Sequence, residues 1–383
     1  MTSLEQNGIG KQSVYVPVRS NEELRRNINS ALAGTRYYFS KILKPWHRVF
    51  FRTKIKAIFS NLERHLDVRE HTVIHAHFLY SDGAVALRAF EKFGIPYVVT
   101  VRNTDINSFM RLRPDLLGIC IRILKNSSGI VFIAPSYVKK LLNKIPSEIH
   151  EELLEKIHVV PNGVAQFWLD RQAIYSDPID RELRLLYVGD FSRNKNVPGI
   201  IQSTELIREK RDVMLTLVGV GGDGEHVVSS MLNSGRYPYV TSVGQIRDRE
   251  KLIEIYRSND VFVMPSFFET FGVVYIEALS QGLPVVVSSG QGVDGYFDNT
   301  NVCASVDPSD RQSIADGILN LAEDLAVARQ YCIEQGRRFG WANIAEELVN
   351  IYSSTGNDAG NEQLRKGCAS HIEEPIDDTV SRE

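Results

Sequence analysis

Few cysteines, no long apolar run and no excess of positive charge set the first limits on this 383-residue chain. Its four cysteines, Cys120, Cys303, Cys332 and Cys368, lie far apart and form no C-x-x-C pair. Neither a disulfide framework nor a metal knuckle follows, and a reducing compartment is the simpler reading. No stretch approaches the roughly 18 apolar residues of a spanning helix. The N-terminal MTSLEQNGIG is polar and has no signal-peptide pattern, which points to the cytosol. A formal net charge of −3 gives no global basic field for nucleic acid. His75 and His77, two apart at a strand end, cannot form a metal site without further ligands, so core or cleft-lining roles are expected.

What is present is an α/β pattern long enough for two domains. Strand-like runs in the first half cover residues 13–18, 72–75, 97–101, 129–133 and 157–160, with helical stretches such as 83–93 and 136–143 between them. Alternation of this kind implies a parallel sheet covered on both faces. It restarts at 183, with runs at 185–188, 214–218, 239–243, 261–264 and 285–288. The polar stretch 165–182 reads as a linker, giving domains over 1–164 and 183–340. Residues 341–354 have helical apolar spacing, and 355–383, poor in apolar residues, are expected to be disordered.

The most informative segment is 261–295, VFVMPSFFETFGVVYIEALSQGLPVVVSSGQGVDG, which reads strand, loop, helix, strand. Glu269 and Glu277 bracket the helix start. A helix N-terminus has unpartnered N–H groups and favours phosphate. Gly272 lets a diphosphate approach the backbone near Phe271, Gly272 and Val273. Glu277, one turn in, suits a ribose diol, and Glu269 suits hydroxyls beyond the phosphates. The plainer alternative is a helix start that favours acids through its dipole.

PSFFETFGVVYIEALSQGLPVV resembles the donor-site signature of the family 4 glycosyltransferases, two acids in E-x7-E with F-G between them. YVGDFSRNKN at 187–196 is similar to that family's strand and loop ending in a phosphate-binding lysine, here Lys195. LTLVGVGGDG at 215–224 and VTSVGQIRDREKLIEIYRSNDVFVMPS at 240–266 follow in the family's order, the latter placing Gly244 and Ile246 on the donor side. VIHAHF at 73–78, GIPYVVTVRNTDI at 94–106 and VVPNGV at 159–164 match in the first half. The resemblance implies GT-B architecture: two Rossmann-like doubly wound domains facing a cleft, with the last helix crossing back to the first. It implies a retaining, metal-independent transferase that uses a nucleotide-diphosphate-sugar as co-substrate and no cofactor, with no D-x-D motif present. The sugar would go to a saccharide or a lipid-linked saccharide of a bacterial cell-surface polysaccharide. Lys195 and the helix start would counter charge growing on the diphosphate.

Three departures from the family pattern stand out. Asp190 occupies the place of an arginine, and Arg193 in the same loop either supplies that charge or is a surface residue. VTVRNTD puts Arg102 and Asn103 where the family has His and Gly. Arg102 cannot act as a neutral base but could bind phosphate or a carboxylated sugar, oriented by Asp105, whose plainer reading is a helix-start acid. The opening MTSLEQNGIGKQSVYVPV resembles the family's following helix end and second strand, without its first strand and Gly-rich loop, so either an upstream start or a protein working without that loop is expected.

Residues 36–59 carry seven basic side chains and no acid, interleaved with aromatics. A basic helix with an aromatic face can lie on an anionic membrane, at the inner face of the cell membrane, or be a solvated helix whose aromatics are core. A non-catalytic nucleotide-sugar-binding protein is the main alternative function. A glycosidase using the glutamate pair leaves Lys195 without a role.

Overall fold

Thirteen strands, all in parallel pairs, build two sheets in the computed structural model, which describes residues 4, 9–26, 35–172, 182–297, 301–355 and 367–370. They divide into two units. Unit 1 holds the residues up to Ile133, Tyr137–Val160, and the chain from Ala342; unit 2 holds Ala134–Ser136 and Pro161–Trp341.

Unit 1 contains β1 (Lys11–Val18), β2 (Thr35–Lys41), β3 (Ile74–Ala76), β4 (Tyr97–Val101), β5 (Gly129–Phe132), β6 (Ile157–Val159) and β13 (Gly367–Ser370), in the order β2-β1-β13-β3-β4-β5-β6. β4 and β5 are buried at every position, as near-continuous apolar strands inside a covered parallel sheet must be. The helix Ser81–Phe93 ends at Gly94, whose φ of 72° is the left-handed stop that glycine allows. The last helix, Trp341–Thr355, lays Ile344, Ala345, Ile351 and Tyr352 into a core. Tyr352 is tied to the sheet through His75, whose Nδ1 lies 2.5 Å from the Tyr352 hydroxyl and whose Nε2 lies 2.8 Å from Thr100 Oγ1.

Two readings of the sequence need correction here. Gly367–Ser370, expected to be disordered, forms β13 and pairs in parallel with β1 and β3. Residues 356–366 and 371–383 of that tail, like 173–181 of the expected linker, lie outside the described residues. The basic segment 36–59 is not one helix: it runs through β2, a short turn Pro45–Arg48 and the helix Phe51–His65. That helix buries Phe51, Ile55, Ile58, Phe59 and Leu62, so its aromatics are core.

Unit 2 contains β7 (Leu183–Val188), β8 (Val213–Val218), β9 (Val240–Gly244), β10 (Val261–Val263), β11 (Val285–Ser288) and β12 (Cys303–Val306), in the order β12-β11-β10-β7-β8-β9. The order reverses at β7, so a crevice opens beyond the carboxyl ends of the central strands. A buried ion pair, Arg329 Nη2 to Asp260 Oδ1 at 2.7 Å, joins the helix Leu325–Arg337 to the start of β10. Among the described residues no helix is long and apolar enough to cross a membrane.

Candidate active site

The carboxyl ends of β7, β8 and β9 lead into Gly189, Gly219 and Gly244. The Gly189 amide donates to Val218 O at 3.0 Å and the Gly219 amide to Gly244 O at 2.9 Å. A Cβ on Gly219 would stand 1.8 Å from Gly189 O, so backbone passes backbone here in a way only glycine permits. Over these ends lies a cavity of about 320 Å³ whose lining comes entirely from unit 2.

The opposite wall is the start of the helix Val273–Ser280. Gly272, at φ 80°, caps it, and a Cβ there would lie 2.3 Å from the Tyr275 ring. Phe271, Gly272, Val273 and Val274 line the cavity, so the positive end of the helix borders it. Glu277 is only 3% exposed, and its Oε2 accepts from the Tyr256 hydroxyl at 3.1 Å. Glu269 Oε2 lies 2.8 Å from Lys195 Nζ, and Glu269 Oε1 accepts the Thr270 amide at 3.0 Å.

Asn194 holds the two loops that make this pair. Its main-chain oxygen accepts the Phe267 amide at 2.9 Å. Its side chain binds the backbone of Phe268 on both sides, Nδ2 to the carbonyl at 2.8 Å and Oδ1 from the amide at 2.9 Å. Lys195 follows on the same turn, and Asn196 takes the left-handed conformation at φ 57°, which asparagine tolerates, before the helix Val197–Arg208.

Of the residues expected at the donor side, Lys195, Glu269, Phe271, Gly272, Val273, Glu277 and Ile246 line one cavity, and Gly244, not among its lining, ends β9 two residues before Ile246. Arg193 is not among the lining residues: its side chain is 73% exposed, with Nε 4.0 Å from Asp223 Oδ2. Asp190 does line the cavity, and its Oδ1 accepts the Ser192 amide at 2.8 Å, closing the turn. Sequence reasoning missed Asn194 and Tyr256. Only the position of Asn194, one residue before Lys195, hinted at the first, and nothing in spacing marked the second.

Arg102 and Asp105 belong to unit 1. Asp105 is buried, and its Oδ2 accepts the amides of Arg102 at 2.9 Å and Leu79 at 3.2 Å, joining the loops after β4 and β3. Burial lifts its carboxyl to about 7. Arg102 Nε donates to His77 O at 3.0 Å, and its guanidinium lies 5.0 Å from the Phe78 ring centre. Asp82, also raised to about 7 by burial, is partly countered by Lys54 and Arg102. Among the described residues no three His, Cys, Asp or Glu side chains converge to hold a metal ion.

Comparison with known proteins bears on the family and the fold. The model described as "Glycosyltransferase Family 4" matches residues 13–165, and the one described as "Glycosyl transferases group 1" matches 175–339. An uncharacterised glycosyltransferase of Methanocaldococcus jannaschii is 27% identical over 301 residues, 75% of this chain and 76% of that protein. The O-antigen chain mannosyltransferase B of Escherichia coli is 30% identical over 175 residues, 44% of this chain and 45% of that one. Among solved structures, the Anabaena protein HepE in complex with UDP superposes with a TM-score of 0.64 at 15% identity, covering 90% of this chain and 100% of HepE.

Proposed function

This chain belongs to the family 4 glycosyltransferases and has their GT-B fold, and on that premise we propose that it moves a sugar, with retention at the anomeric carbon and without a metal, from a nucleotide-diphosphate-sugar to a saccharide or lipid-linked saccharide. The bacterial cell surface is the proposed destination, at the inner face of the membrane; the E. coli relative, by its name, builds an O-antigen chain. The observation that carries the reading is the meeting of Lys195 and Glu269 at 2.8 Å beside the Gly272 helix start and the buried Glu277.

The chemistry follows from charge. As the glycosidic bond breaks, negative charge grows on the leaving diphosphate. Lys195, now paired with Glu269, and the helix start at Gly272 would counter it. Glu277, held by Tyr256, is set to accept from a ribose diol, and Glu269 from hydroxyls of the sugar. HepE has been solved with UDP, which makes a uridine diphosphate donor the first to try.

The test is thermal shift with a panel of nucleotides and nucleotide-sugars, EDTA present, on wild type and Glu277→Ala. A ligand that raises the melting temperature of wild type alone supports the reading. A well-folded protein that responds to none overturns it. Asp190 at an arginine's place and Arg102 at a histidine's favour one alternative, a nucleotide-sugar-binding protein without turnover. Donor binding with no product on any saccharide acceptor selects it.

A further inference from the structure

Among the described residues, six large apolar side chains are more than half exposed, and four of them lie in two neighbouring connections of unit 1: Trp46 (55%), Val49 (67%) and Phe50 (59%) around the short turn Pro45–Arg48, and Leu112 (69%) at the end of the short helix Met110–Leu112. The loops are tied together, since Arg113 Nη1 donates to Val49 O at 3.2 Å while its Nε and Nη2 grip Asp115. Within the first loop the Phe50 amide donates to Trp46 O at 3.0 Å, so the two aromatics are held on one short turn. Exposed apolar groups clustered in this way mark an interaction surface.

Around them stand exposed cations: Lys41, Lys44, Arg48, Arg52, Lys56 and Arg111. From residue 36 to residue 62 the sequence has no acid, and none of these six cations has a carboxylate partner among the described residues. The helix Phe51–His65 adds to this arrangement by burying its apolar side and presenting Arg52 and Lys56 outward. The charge is local, because the whole chain carries −3. Both loops leave the carboxyl ends of strands, one after β2 and one after β4, on the same edge of the sheet as Arg102 and Asp105.

We infer that this edge of unit 1 docks on an anionic phospholipid surface, with Trp46, Val49, Phe50 and Leu112 entering the headgroup boundary and the six cations meeting the lipid phosphates. Aromatic tips inside a basic collar fit that partner on both counts: an apolar layer for the tips and negative charge for the collar. The contact is by the tips of these two connections, not by the apolar side of the helix Phe51–His65, which is core. Docking there would bring the strand-end edge of unit 1 to the bilayer. Its use for a lipid-linked acceptor rests on the function proposed above; the docking itself does not.

Sedimentation with vesicles tests it, using phosphatidylcholine alone and phosphatidylcholine mixed with phosphatidylglycerol, at low and high salt. Wild type is expected to bind the anionic vesicles, and to lose binding in high salt because surface charge is screened. Arg48→Gln with Arg52→Gln should weaken binding about 30-fold, from about 1 kcal/mol for each cation near the surface. Trp46→Ala with Phe50→Ala should weaken it while leaving the net charge unchanged. Both pairs are exposed, and unchanged melting temperatures verify folding. No binding by wild type, or binding indifferent to both pairs, overturns the inference. So does a concentration-dependent dimer, seen by light scattering and abolished by Trp46→Ala with Phe50→Ala, if vesicles are not bound. Nucleotide-induced thermal shift is read separately, so failure of the donor site and failure of docking are distinguishable.

Discussion

Lys195 is the single cation among the described residues that line the cavity, and it shares that lining with Asp190, Glu269 and Glu277. On the proposed function a diphosphate would enter a site whose own side chains are acidic on balance, with Lys195 already engaged by Glu269. Two opposite outcomes follow. Lys195→Ala should weaken nucleotide binding and lower kcat by about 10²- to 10³-fold, the range for removing one preorganised group from a developing anion. Glu269→Gln should tighten binding of the free nucleoside diphosphate, roughly threefold to tenfold for one like charge worth about 1 kcal/mol in a partly wet site. It should also lower turnover, because the sugar loses its acceptor. Calorimetric titration with UDP and a transfer assay read both; weaker UDP binding by Glu269→Gln would count against the assigned roles. Asn194→Ala, which removes both side-chain bonds to the Phe268 backbone, should cost about 1–2 kcal/mol of stability and lower kcat more than it alters UDP affinity.

At the scale of elements, Gly219 and His75 make contrasting demands. Gly219→Ala must push β7 and β8 apart at their ends, since its Cβ would stand 1.8 Å from a carbonyl oxygen, and should abolish the nucleotide-induced shift as well as lower the melting temperature. Gly221→Ala, at φ 77° with open space around it, is the control and should cost only about 1 kcal/mol of backbone strain. His75 links β3, β4 and the last helix. Burial holds its imidazole down to about 3. In the unfolded chain it titrates near 6.5, so the stability conferred by the neutral ring is complete above that pH and is lost as pH falls from about 6.5 to 3. Urea unfolding of wild type and His75→Gln across that window should show their difference shrinking on acidification, by up to about 1.4 kcal/mol per pH unit for one proton. The strands with mostly apolar runs, β4, β5 and β11, were legible to within a residue because burial on both faces keeps them rich in valine and isoleucine. β2 was not, since TRYYFSK sets three aromatics between an arginine and a lysine with no apolar alternation, and the basic residues that follow made the whole run look like one helix. β13 has too little apolar content in its surroundings to announce itself, and its partners β1 and β3 are remote in sequence.

For the whole molecule the question is which residues respond when the donor binds. The acids and glycine of the E-x7-E segment left a short, spaced helix-start trace that the resemblance to the family's donor signature singled out, whereas Lys195 was marked by that resemblance alone. The contribution of β7, β8 and β9 was harder to read, since it consists of backbone brought together only by the order of the sheet. All of the cavity lining comes from unit 2, and each unit has its own sheet and core. Hydrogen exchange with saturating UDP should therefore slow most at 189–195, 219–220, 245–246 and 269–277, the stretches that form the cavity. The strands β4 and β5 of unit 1 should change little, because ligand protects what it touches and what must open to release it. Glu277→Ala should lose the effect throughout unit 2. Protection centred on the Arg102–Asp105 turn instead would mean that the nucleotide is held by unit 1 and that the acids around Gly272 serve the helix start alone.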